Sequence, residues 1–295
     1  MIAAYIALVI FLTLITIFFG IAKTEETKSV ATNNEENPQS YNNYTIDKFG
    51  IKKMYPTTQG GREWFIDMDN PKSDGIFSIT SNYNITKQRD ASWRIDAPLV
   101  RMNVDTLPGA EPWKNVEITG YAKVVSKLPS NNTDLDWSAR GGRQNSSIPC
   151  EGTALHGGLH IDGSVGWKKE IWQVGGYTAE RAKAKILTDS ILGRWIGWKV
   201  VMYNINNDTA VKMESYIDNK NSNYWVKVTD LVDNGGWFAN SPDNIFYSAN
   251  CGRAKDYIIT NGGPIVTFRS DNLVWDFKNL SIREIIPEEK IYNQP

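Results

Sequence analysis

The stretch Gly193–Leu231, GRWIGWKVVMYNINNDTAVKMESYIDNKNSNYWVKVTDL, decides the fold class. In it Ile196, Trp198, Val200 and Met202 alternate with Gly197, Lys199, Val201 and Tyr203. That is the two-residue period of a strand, which points successive side chains to opposite faces of a sheet. Asn206-Asn207-Asp208 then supplies a turn, and Val211, Met213, Ser215 and Ile217 alternate with Lys212, Glu214, Tyr216 and Asp218. A second turn over Asn219–Asn223 leads into YWVKVTDL. The expected unit is an antiparallel meander with one buried and one wet face.

The pattern continues on both sides. Short apolar-aromatic runs bounded by Gly, Asn, Asp and Pro occupy Arg62–Asp67, Gly75–Thr80, Val116–Val125, Ala154–Ile161, Gly166–Val174 and Val266–Ile285. The best helix-period segment, Thr178–Ile186, reads equally well as a strand. Eleven Trp, thirteen Tyr and ten Phe favour sheets over a helical bundle. No repeat of about 30–50 residues marks a propeller. The expected fold is all-β, a two-sheet antiparallel jelly-roll sandwich forming one domain over residues 49–295. Thirty-two basic against thirty-three acidic residues give a net charge of -1, which excludes a broad nucleic-acid footprint.

Ahead of the domain, residues 2–22 carry no charge. As a helix this run measures roughly 31 Å, close to the about 30 Å hydrocarbon core of a bilayer. Residues 1–22 are therefore expected to be a transmembrane anchor or a signal segment, the uncleaved anchor being favoured. Residues 23–48, rich in Asn, Glu, Thr and Ser, read as a flexible polar linker. Six glycosylation sequons begin at Asn43, Asn84, Asn131, Asn145, Asn207 and Asn279, and the distant pair Cys150 and Cys251 suits a disulfide. The expected location is the cell membrane, single-pass, with the domain outside the cell, or secreted if the first segment is cleaved.

The strand-turn-strand of Gly193–Leu231 with the closing run VTFRSDNLVWDFKNLSIREI resembles the concanavalin A-like lectin/glucanase superfamily over roughly residues 60–286. It is also similar to uncharacterised archaeal surface proteins. The resemblance implies a jelly roll whose final strand lies beside an early one. It implies a polysaccharide or cell-envelope glycan as partner, bound or cleaved. The E-x-D-x-x-E strand motif of laminarinase-type hydrolases is absent, since Lys168-Lys169-Glu170-Ile171-Trp172-Gln173 holds a single carboxylate.

Lyase-type members need a group that neutralises the uronate carboxylate, a base for the C5 proton and an acid for the leaving oxygen. Arg140, Arg143, His156, His160, Lys168, Glu170 and Tyr177 fall on consecutive expected strands and form the candidate catalytic set. The lyase motifs R-x-E-L and Q-I-H are not matched residue by residue. His156 and His160 share a face unless Gly157-Gly158 makes a bulge, and no third ligand nearby suggests a metal site. For binding alone, Trp167, Trp172 and Trp198 are the candidate stacking residues, with core packing as the competing reading of each. No cofactor is expected beyond structural calcium. Polysaccharide binding leads, ahead of a lyase and of a structural envelope protein without a sugar site.

Overall fold

The computed structural model describes residues 45–80, 83–130, 132–142, 144–145, 147–185 and 190–287. The anchor segment, most of the linker, and the sequon residues Asn43 and Asn131 lie outside the described residues. Among the described residues no helix is long and apolar enough to cross a membrane.

The strands are β1 (Glu63–Phe65), β2 (Phe77–Ile79), β3 (Ile85–Lys87), β4 (Trp93–Asp105), β5 (Val116–Lys127), β6 (Asp134–Gly141), β7 (Ala154–His160), β8 (Ser164–Glu170), β9 (Arg181–Lys185), β10 (Ile196–Ile205), β11 (Ala210–Asp218), β12 (Val226–Asp233) and β13 (Ile265–Glu284). A single helical turn, α1 (Asp243–Phe246), precedes β13. The pairings are antiparallel throughout, in the order β12-β11-β10-β5-β13-β6-β7-β8-β9. The ambiguous Thr178–Ile186 run resolves as strand β9, paired to β8.

Strand β13 joins the two layers. On one side it pairs β6 over Ile265–Asp271 and then β5 over Leu273–Glu284. Along its other side it pairs β4 and then β1. The change of neighbour falls at Asn272, whose left-handed backbone (φ 53°) turns the strand between partners. Its side-chain amide donates to Asn132 O at 2.8 Å and Ser130 Oγ at 3.1 Å, tying in the β5–β6 connection.

The layer β6–β9 packs on the layer β5–β10–β11–β12. Trp137 of β6 meets Trp198 of β10 with ring centroids 4.5 Å apart. Trp167 of β8 donates its indole N–H to Thr229 Oγ1 of β12 at 2.9 Å. Gly157 lets β7 approach β10, since a Cβ there would sit 3.0 Å from Val200. The wet face expected of β10 is absent, because all ten of its residues are buried. Its second face is covered by Ile51 and Tyr55 from the N-terminal segment, with Tyr121 and Trp225. Charged groups under that cover are paired: Glu117 accepts from Lys199 Nζ at 2.7 Å and from Arg283 Nη2 at 2.6 Å. Residues 45–48, polar enough to read as linker, are held in the domain. Asp47 Oδ1 accepts from Phe49 N and Ile51 N at 2.8 Å, and Lys53 N donates to Thr45 O at 3.0 Å.

Cys150 and Cys251 form the expected disulfide, closing 101 positions of sequence.

Candidate functional site

The open face of the layer β4–β13–β6–β7–β8 is polar because each strand alternates. Val100, Met102 and Val104 turn inward, leaving Arg101 and Asn103 outward. Leu135, Trp137 and Ala139 do the same for Asp134, Asp136 and Ser138. Register then sets rows across the sheet. One row runs Asn103, Thr267, Ser138, His156, Lys168, and the next runs Arg101, Arg269, Asp136, Gly158, Gly166. A third places Asp271 and Asp134 beside His160. A cleft of about 260 Å³ opens on this face, lined among others by Arg101, Asn103, His156, Glu170, Thr267 and Arg269.

Strand β7 pairs in regular register on both sides, so Gly157-Gly158 makes no bulge and the two histidines share the face. His156 Nδ1 lies 2.9 Å from Asp136 Oδ1, and its Nε2 lies 3.5 Å from Glu170 Oε2. Burial opposes the imidazolium, but Asp136 and Glu170 prevail and raise the pKa of His156 to about 9. Reciprocally, burial opposes ionisation of Asp136, while His156 and Arg269 hold its carboxyl below the ordinary range. Tyr177 stands with its ring centroid 5.9 Å from that of His156. Burial and the Glu170 charge push its hydroxyl pKa up. Asp134 is raised to about 6 by burial and by neighbouring Asp136 and Asp271. His160 Nε2 lies 2.7 Å from Glu180 Oε1, a contact that holds Glu180 below its usual value.

Arg101 and Arg269 face each other directly across strands β4 and β13. Like charges in that position repel. Arg269 is paired, with Nη2 2.9 Å from Asp271 Oδ2, and Asp136 and Asp271 keep it cationic despite burial. Arg101 makes no side-chain hydrogen bond or ion pair among the described residues. Burial and Arg269 together lower its pKa. His156 Nε2 and Glu170 Oε1, both buried on cleft-lining residues, also lack hydrogen-bond partners among the described residues.

Of the residues singled out in the sequence, His156, His160, Lys168, Glu170 and Tyr177 therefore share this face or its rim. Arg140 does not. Alternation from Ser138 would turn it outward, but the β6–β13 register shifts beside it and its backbone is left-handed (φ 61°). Its guanidinium is instead buried, donating to Ile259 O at 2.8 Å and to Asn204 Oδ1. Arg143 lies outside the described residues. Trp167, Trp172 and Trp198 are at most 1% exposed, so none offers a ring face to a ligand. Trp167 and Trp198 belong to the inter-sheet core, and Trp172 stacks on Phe246 of α1 at 4.3 Å. Arg101, Asn103, Asp136, Thr267 and Arg269 were missed, although their alternation with buried neighbours was a readable signal.

Among the described residues no group of three or more His, Cys, Asp or Glu side chains is arranged to hold a metal ion.

No family model matches this chain, and no curated protein matches it. Solved structures are similar to it at low identity. Arcelin-5, a lectin-like defense protein from Phaseolus vulgaris, is similar at 6% identity and a TM-score of 0.41, covering 75% of this chain and 97% of its own. The exoplasmic/lumenal domain of VIP36, in a Ca2+/Man3GlcNAc-bound form, is similar at 10% identity and a TM-score of 0.41, covering 74% and 89%. A protein of unknown function with a galectin-like fold from Bacillus subtilis gives 9% identity and a TM-score of 0.42, covering 80% and 100%. The chemistry of the site rests on this chain's own residues, and the likeness to archaeal surface proteins finds no support in these comparisons.

Proposed function

We propose that this domain binds an anionic, carboxylate-bearing polysaccharide of the uronate class in the cleft of the β4–β13–β6–β7–β8 face. One observation carries the reading: Arg101 and Arg269 stand side by side in the cleft, and among the described residues only Arg269 has a carboxylate partner. A ligand carboxylate between them relieves their repulsion and supplies the bidentate geometry that guanidinium groups prefer. His156, protonated at neutral pH, offsets the carboxylates of Asp136 and Glu170 on the same face. Asn103, Ser138 and Thr267 alternate with these charges and offer donors and acceptors for sugar hydroxyls. With the Trp candidates buried, recognition is polar rather than by stacking. The disulfide fits an oxidising compartment, and with the uncharged residues 2–22 it supports a domain held on the outer face of the membrane.

Titration calorimetry with a polyuronate and with a neutral glucan tests the reading. Uronate should bind, more weakly as salt rises, and Arg101→Ala should abolish the preference. Equal binding of the neutral glucan, or no binding of either, refutes it.

A second reading, β-elimination on the same polymer, is favoured by Tyr177, His156 and Glu170 meeting at one end of the cleft. It demands a base, and neither His156 nor Tyr177 is deprotonated at neutral pH. Elimination would therefore be confined to alkaline solution. Ultraviolet absorbance of unsaturated products that grows from pH about 8 to about 10, and is lost in His156→Ala, would establish it.

A further inference from the structure

A second hollow of about 240 Å³ adjoins the cleft, and Gly141, Gly142 and Gly152 line both. Each hollow alone is smaller than the about 300 Å³ at which ligand pockets begin, and joined they fall within that range. The glycines keep the passage low. A Cβ on Gly142 would meet nothing within 4 Å among the described residues outside its chain neighbours. Gly152, at φ 90°, lies so close to Glu170 that a Cβ would come within 2.9 Å of its Oε1.

The second hollow is lined by two further cations. Arg253 lies over the Tyr257 ring, 4.7 Å from its centroid, and donates to Ile171 O at 2.9 Å. Arg140 is buried, and its Nε has no hydrogen-bond partner among the described residues. The Cys150–Cys251 bridge joins the two loops that form the walls, one carrying Glu151 and Gly152 and the other Arg253.

We propose that the cleft and this hollow are two subsites of one binding path, the first holding Arg101 and Arg269 and the second lined by Arg253 and Arg140. The ligand is then a chain with carboxylates on successive units rather than a single terminal uronate. This rests on the uronate reading above and adds the length and charge repeat of the ligand.

The test is calorimetry with oligouronates of two to six units. In the wild type, lengthening the ligand from two units should tighten binding about tenfold or more, about 1.4 kcal/mol. Arg253→Ala should erase that gain and leave the affinity for the two-unit ligand within about twofold. Since Arg253 also braces its loop, Asn261→Trp provides a second variant. Asn261 is exposed, lines only the second hollow, and should likewise erase the gain. Affinity independent of length, or a gain surviving in both variants, overturns the two-subsite proposal while leaving the uronate reading intact. Failure of every oligouronate to bind the wild type overturns both.

Discussion

The proton on His156 makes the sharpest test of the site's electrostatics. His156 is buried, faces Asp136 at 2.9 Å and Glu170 at 3.5 Å, and holds its proton to about pH 9 against an ordinary value of 6.5. That difference is worth about 3 kcal/mol of folding stability. Because the folded-state pKa is raised, the contribution is complete below pH 6.5 and is lost as pH rises through about 9. The assay is urea unfolding of the wild type and His156→Gln from pH about 6 to about 10, following the gap in stability between them. Background titrations of other groups cancel in that gap, which should shrink by about 3 kcal/mol toward the alkaline end. The chain has only two histidines, so proton NMR of the imidazole rings reads the same quantity directly, with His160→Gln assigning the signals. A gap constant with pH, or a His156 ring titrating at or below 6.5, would refute the reasoning and restore a neutral imidazole able to act as a base.

Other outcomes follow from the same structure. Arg101→Ala should weaken polyuronate binding at least about tenfold while leaving stability unchanged or higher by up to about 1 kcal/mol, since it removes a like-charge cross-strand pair. Chemical denaturation with binding on the same samples checks both arms. Lys199→Met strips one partner from buried Glu117 and should cost about 3–5 kcal/mol by urea unfolding. Glu117 is buried, yet Lys199 and Arg283 lower its pKa to about 2. Its contribution is present above the ordinary value of 4.5 and lost as pH falls toward 2, so the stability gap between wild type and Glu117→Gln should close on acidification. Cys150→Ser with Cys251→Ser opens a loop of 101 positions and should lower stability by about 4–5 kcal/mol in the chain-entropy account, measured by thermal unfolding.

Alternation in β10, β11 and β13 was enough to read an all-β sandwich, because period two is local and needs no knowledge of partners. The second buried face of β10 was not legible. Lys199 and Tyr203 look like wet-face residues until Tyr55, more than 140 positions away, is laid over them. The cleft was half legible for the same reason. His156 and His160 drew notice as the two histidines of the chain, whereas Arg101 and Arg269 become neighbours only through the pairing of β4 with the last strand. Arg140 was misplaced because a register shift reverses alternation locally. The tryptophans were misplaced because a ring that suits a sugar suits a sheet interface equally well.

The strand that closes the chain is also the one on which both layers depend. With β13 missing, β4 loses its longest partner and β5 and β6 share no neighbour, so the sheet parts into the two four-stranded runs β12-β11-β10-β5 and β6-β7-β8-β9. The core between the layers is therefore completed only when β13 pairs with strands more than a hundred positions earlier, and such distant pairings form slowly.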